Sequence, residues 1–288
     1  MQIIAIYPQI KEFYALGKNI IDKISNGIFA KESFDIIERK IIICNRDSCL
    51  FFVDGLINDE VMEKIIEFFY SINDESQLSD LKAFCEKSVP YVEVSAETDL
   101  DKIYTGILSG IMALAIDGLD GAIMLDVRSY PQRDSSEPEK DKVLRGSHDG
   151  FVETLVANTA LVRRRIRDRN LRMKYLSAGI ETKTDIVLCY MDNKVDKKLL
   201  AEITQKIENA SVEALTMTMQ SLSEVIYRHK WYSPFPKVKN TERPDVTASA
   251  VLDGNIAILI DNAPSALIIP TSIFDILEEA DDYSQELI

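Results

Sequence analysis

The chain has 288 residues, 46% hydrophobic and 28% charged, the composition of a folded globular protein with enough apolar mass for two lobes. Its formal net charge of −14 repels polyanions and excludes nucleic acid as a general partner. No stretch of about 18 uninterrupted apolar residues offers a membrane span, and the start of the chain lacks the basic residues and cleavage site of a signal peptide.

Apolar spacing at Ile10, Phe13, Tyr14, Ile20, Ile21 and Ile24 predicts a helix over 9–26, weakened by Gly17. Residues 34–43 and 49–53 read as strands about a turn at 45–48. A helix follows at 61–71, capped by Asn58 with Ile65, Phe68 and Phe69 inward, and another at 78–87 ends before Pro90. Residues 91–95 alternate as a strand, and 99–109 return to helical spacing. Residues 111–116 and 122–127 form a hairpin of buried strands through Gly118-Leu119-Asp120. The segment 128–142, with two prolines, serines and mixed charge, is the linker between an N-terminal lobe (1–127) and a C-terminal lobe (143–288).

The second lobe opens with a long basic run, taken up below. It continues with a strand at 184–190, helices at 196–207 and 221–228, and a loop at 231–239 held by Pro234 and Pro236. A helix at 245–252 has Pro244 at its first turn. A hairpin of 256–260 and 266–269 turns through Asp261-Asn262-Ala263-Pro264, and a helix at 272–280 closes the lobe. Strands interleaved with helices in both halves predict a mixed α/β (α+β) fold of two small lobes. No fixed-period repeat is visible.

The chain is organised around residues 145–174. Gly146-Ser147-His148-Asp149-Gly150 is a turn, after which Phe151, Leu155, Thr159, Val162 and Ile166 mark one helical face. Ser147 or Asp149 is the expected cap, with Glu153 in the first turn. Arg163, Arg164, Arg165, Arg167 and Arg169 crowd the far end, followed by Arg172 and Lys174. A helix dipole accounts for one or two cations at about 0.3–1 kcal/mol each, and seven are present. The surplus either pairs with acids elsewhere in an acidic chain or forms a docking surface for an acidic partner, a phosphate or anionic lipid heads. If the helix continues, Arg165, Arg169 and Arg172 share a face and Arg163 and Arg167 form the adjacent row. That geometry predicts Arg163 and Arg167 as structural, with Glu242 a candidate partner, and leaves Arg169 and Arg172 for subunit or lipid contact.

Chemistry has weak support. Cys44, Cys49, Cys85 and Cys189 form no C-x-x-C pair, and His148 and His229 complete no ligand set, so no metal or other cofactor is expected. Gly146 and Gly150 ahead of a helix can present amides to an anion, but their spacing matches no phosphate-binding loop. Asp126 reads as a cap or an ion pair. Glu242 and Arg243, within Thr241-Glu242-Arg243-Pro244-Asp245, either fix a helix start or reach the basic helix. Asp120-Gly121-Ala122 resembles a motif of diadenylate cyclases, whose arginine-histidine-arginine companion is missing here; an Asp-Gly hairpin turn explains it without catalysis. No nucleophile, base and anion cradle coincide, so no enzyme activity is expected.

The basic run, together with Ser129 to Arg133, Glu137-Pro138 and Ser233 to Asp245, resembles the A subunits of GerA-type spore germination receptors, closest to the stage V sporulation protein AF branch. The resemblance covers most of the chain from about Phe34 onward. It implies a cytosolic N-terminal domain at the inner spore membrane, working with other receptor subunits, as a homo-oligomer, in germinant-triggered ion release. It further implies membrane attachment through a C-terminal region beyond this chain. The alternatives are a small-ligand module with an inter-lobe cleft and a nucleotide-using enzyme built on Asp120 to Ala122.

Overall fold

The computed structural model describes residues 19–74, 78, 80–89, 91, 93–130, 149–179, 182–209, 222 and 238–270. Predicted features at 9–18, most of the linker, His148, His229, the helices at 221–228 and 272–280, and the loop around Pro234 and Pro236 lie outside them. The chain divides into two compact units, residues 1–31 with 36–129 and residues 32–35 with 130–288. The fold is mixed α/β, and every described strand pair is antiparallel.

The described part of the first unit opens with α1 (Ile20–Gly27); a 3-10 turn follows at Ala30–Glu32, its last residue counted with the second unit, and then the hairpin β1 (Ile36–Ile43) and β2 (Arg46–Val53). The turn between the strands is two residues, Cys44 and Asn45, both with positive φ (47° and 61°), so Arg46, Asp47 and Ser48 belong to the strand rather than to the expected turn. Such mirror-image turns match the strands' own twist. There follow α2 (Asp59–Ser71), α3 (Leu81–Ser88), β3 (Val94–Glu97), α4 (Leu100–Leu108), β4 (Met112–Ile116) and β5 (Ala122–Leu125). The helix starts are written in the sequence: Asn58, Asp80 and Asp99 accept the amides of Val61, Ala83 and Asp101. The sheet order is β1-β2-β4-β5-β3, with one apolar cluster on each face.

The second unit contains α5 (Leu155–Arg165), β6 (Leu171–Ala178), β7 (Thr184–Met191), α6 (Lys197–Glu208), β8 (Lys239–Thr241), α7 (Pro244–Leu252), β9 (Ile256–Ile260) and β10 (Ala266–Ile269). Its order, β6-β7-β9-β10-β8, is that of the first sheet, again with a cluster on each face. The fold is therefore an internal duplication. The elements α7, β9 and β10 begin at 244, 256 and 266, each 144 residues after α4, β4 and β5 at 100, 112 and 122. Hairpin registers coincide, since Met112 faces Leu125 as Ile256 faces Ile269. Asp117 donates its amide to the Asp47 carbonyl at 2.8 Å, and Asp261 donates to Asp185 at 2.9 Å. Each copy follows its helix with a left-handed glycine, Gly110 (φ 98°) and Gly254 (φ 102°), which only a residue without a Cβ adopts cheaply.

Candidate functional site

The basic run folds differently from its helical reading. The α5 helix stops at Arg165, residues 166–170 turn, and β6 begins at Leu171, so Arg172 and Lys174 lie on a strand. Arg165, Arg169 and Arg172 therefore share no helix face. The expected caps also differ. The N-cap is Thr154, which makes no side-chain cap bond. Instead Asp261 Oδ1, from the β9–β10 turn, accepts the Leu155 amide at 3.3 Å, and the Glu153 carbonyl accepts the Asn262 amide at 2.8 Å. Asn158, fully buried, accepts the Val152 amide at 2.8 Å and donates back to the Val152 carbonyl at 2.5 Å. The face read from the sequence is right: Phe151, Leu155, Thr159, Val162 and Ile166 are all buried.

Arg163 is completely buried. Its Nε donates to Asp35 Oδ2 at 2.6 Å and Nη2 to Asp35 Oδ1 at 3.1 Å, the two-pronged geometry that suits a guanidinium to a carboxylate. The Ser33 hydroxyl and the carbonyls of Asp168 and Leu171 take further bonds at 3.2, 3.3 and 3.2 Å. Its partner is thus Asp35 and not Glu242, whose backbone carbonyl accepts the Phe151 amide at 2.9 Å. No sequence signal marked Asp35, because it lies 128 residues away, just before β1.

Arg172 is buried too, with Nε 3.0 Å from Glu32 Oε2 and Nη1 donating to the Arg169 carbonyl. It was expected to be open to a partner and is committed inside the unit. Arg164 lies 4.2 Å from the Tyr130 ring centroid, a cation–π contact, and is half-buried. Arg165, also half-buried, pairs with Asp149 and bonds the Leu161 carbonyl at 2.9 Å. Arg167, expected to be structural, is exposed, with Nε 3.3 Å from the Arg164 carbonyl. Arg169 is exposed as well. The seven cations therefore divide by depth: Arg163 and Arg172 are buried, Arg164, Arg165 and Lys174 half-buried, and Arg167 and Arg169 exposed.

The Thr241 to Asp245 motif builds a helix start. The Thr241 hydroxyl accepts the Arg243 amide at 3.2 Å, Pro244 takes the first helical position, and Arg243 forks onto Asp245 at 3.1 and 2.6 Å. Burial alone would raise the Asp245 carboxyl, but Arg243 outweighs it and holds the group below the ordinary carboxylate range. A lowered folded pKa stabilises the fold above the unfolded value of about 3.9 and stops doing so as pH falls through the folded value. The pair is partly exposed, so its share is about 0–1 kcal/mol. Asp245→Asn is expected to flatten the loss of stability between about pH 4 and pH 2, read from urea midpoints, with little effect at neutral pH. A steeper acid dependence in the variant would contradict this.

The chemistry candidates resolve into structure. Asp120 is exposed in the β4–β5 turn, and Asp126 is bonded by Arg128 Nε at 2.6 Å, which lowers its carboxyl. Burial pushes the Cys49 thiol up to about 12 and raises Cys189 as well, away from the reactive thiolate. Among the described residues no group of three or more histidines, cysteines and acids could hold a metal, and no helix is long and apolar enough to cross a membrane.

Comparison with known proteins gives a consistent picture. The family model described as Bacillus/Clostridium GerA spore germination protein matches residues 23–288. Stage V sporulation protein AF of Bacillus subtilis (strain 168) is 37% identical over 261 residues, 90% of this chain and 53% of that protein. Spore germination protein KA of the same organism is 29% identical over 273 residues, 93% of this chain and 49% of that protein. The chain spans about half the length of these curated relatives. The crystal structure of the N-terminal domain of the A subunit of the Bacillus megaterium spore germinant receptor GerK3 superposes with a TM-score of 0.66 and 25% identity, covering 88% of this chain and 94% of that one.

Proposed function

The chain belongs to the GerA spore germination protein family, and we propose that it works as the cytosolic N-terminal domain of an A-type receptor subunit, assembling with other subunits in germinant-triggered ion release across the spore inner membrane. The observation that supports this reading is the near full-length likeness to a receptor A-subunit N-terminal domain. Its role in this reading is to transmit and assemble rather than to catalyse. Membrane attachment falls to the part of such a subunit that this chain does not span.

Within this reading Arg167 and Arg169, exposed on the α5–β6 turn, make the subunit contact, beside the half-buried Arg164 and Arg165 at the end of α5. Exposed arginines contribute little to folding, about 0–1 kcal/mol each, so replacing them should leave the fold intact while removing charge from this surface. Spores lacking the full-length subunit are expected to release monovalent cations more slowly after germinant addition than parent spores. The Arg167→Ala, Arg169→Ala double variant is expected to share that defect while the purified chain melts normally. Parental release rates on deletion would overturn the proposed role; parental rates in the double variant would overturn the contact.

A further inference from the structure

The strand β1 lies at the edge of the first sheet, with β2 its one strand neighbour among the described residues. Glu38 and Lys40 stand opposite Phe51 and Cys49, both members of the cluster formed with α1 and α4, so the even-numbered side chains of β1 share that face. Along it Ile36 is buried, Glu38 half-buried and Lys40 exposed, while Ile42 is 62% exposed, more than any other large hydrophobic side chain described. The Glu38 Oε1 atom is buried and meets no hydrogen-bond donor. A cavity of about 470 Å³, lined by Asn19, Ile21, Asp22, Lys40, Ile42 and Cys49 among others, keeps this face open beside the edge.

We propose that β1 pairs antiparallel with β1 of a second copy about a two-fold axis at Arg39, joining two five-stranded sheets into one. In this register Glu38 lies opposite the partner's Lys40 and Lys40 opposite the partner's Glu38. Ile36 lies opposite the partner's Ile42, and the reverse. Directly opposed residues have Cβ atoms about 4.5–5.5 Å apart, within reach of a lysine and a glutamate. The pairing gives the buried carboxylate oxygen a donor and covers the exposed isoleucine. An isologous contact needs such self-complementarity.

The duplication supplies a precedent. Met173 is the third residue of the equivalent edge strand β6, as Glu38 is of β1. There the Phe34 amide donates to the Met173 carbonyl at 3.0 Å, and the Met173 amide donates to the Ser33 hydroxyl at 3.0 Å. This edge of the fold therefore accepts added backbone.

Charges on an edge strand also serve to repel other strands. A guarding charge sits in water and meets its own kind, whereas here the spacing sets opposite charges together and one carboxylate oxygen is already out of water. Arg39 does meet the partner's Arg39 on the other face, where both are exposed and screened by salt. The net charge of −14 on each copy opposes association as well, so the dimer forms best at physiological ionic strength or above.

The inference deepens the assembly reading and rests on it only for the setting in which copies meet; its test uses the purified chain. Sedimentation equilibrium should show a reversible monomer–dimer step. Lys40→Glu, which sets Glu38 against a glutamate twice per dimer, should weaken association about tenfold. The charge-swapped Glu38→Lys, Lys40→Glu double variant should restore it, and Arg39→Thr should tighten it. A chain that stays monomeric up to millimolar concentration, or a swap that fails to restore association while melting normally, overturns the proposal. Because cation release from spores is measured separately, a failure here is distinguishable from a failure of the family role.

Discussion

Arg163→Ala is expected to cost about 3–5 kcal/mol of stability, seen as a shift of the urea midpoint. The reason lies in what stays behind. The guanidinium serves both Asp35 oxygens, the Ser33 hydroxyl and two backbone carbonyls, and neither charged side chain has any exposure. Alanine strands the Asp35 carboxylate where water cannot replace the lost donors. Arg163→Lys should recover part of the loss, because an ammonium keeps the charge but cannot fork onto a carboxylate and still reach both carbonyls. Replacing both partners by apolar residues of similar volume, Arg163→Met with Asp35→Leu, should cost less than either single change, since the penalty is for an unpaired buried charge. A loss below about 1 kcal/mol for Arg163→Ala would place it with the exposed ion pairs and contradict the geometry.

This network also shows where sequence reading stops. Local signals were legible: Asn58 as a cap, Pro244 opening α7, and the β4–β5 and β9–β10 hairpins. Such features depend on neighbours within a few residues. The strand β6 was hidden because Arg172 and Lys174 continued a run of cations that looked like a helix end, although Leu171 and Met173 already alternate inward. Buried arginine overrides the rule that charges stay in water, and only its distant acid reveals that. The duplication was hidden for another reason. Gly110, Ala113, Ile116, Asp117 and Ala122 recur as Gly254, Ala257, Ile260, Asp261 and Ala266. The β1–β2 and β6–β7 hairpins, in contrast, are offset by 135 and 138 residues at their first and second strands (36 and 171, 46 and 184), so no single period spans the copy.

Gly121→Ala is expected to be as damaging, at roughly 3 kcal/mol or more, and it decides what Asp120-Gly121-Ala122 is for. Gly121 has φ 119°, a region L residues rarely enter, and a Cβ there would sit 2.3 Å from the Glu97 carbonyl oxygen and 2.9 Å from Leu81 Cδ2. The leucine tip can move. The carbonyl cannot move easily, because Glu97 is held in β3 opposite Ala122. Relief would require β3 to part from β5, whose four residues are all buried. The glycine is thus required by the close approach of two backbones, and the aspartate before it is exposed on the turn. Asp120→Ala should change stability by no more than about 0.5 kcal/mol. A catalytic motif predicts the opposite pattern, in which losing the aspartate abolishes nucleotide turnover and leaves the fold intact. Cyclic dinucleotide synthesis by the purified chain that disappears in Asp120→Ala would sink the structural explanation. A Gly121→Ala variant that melts with the parent would sink the strain argument, because no rearrangement of the leucine alone frees the Cβ from the backbone of Glu97.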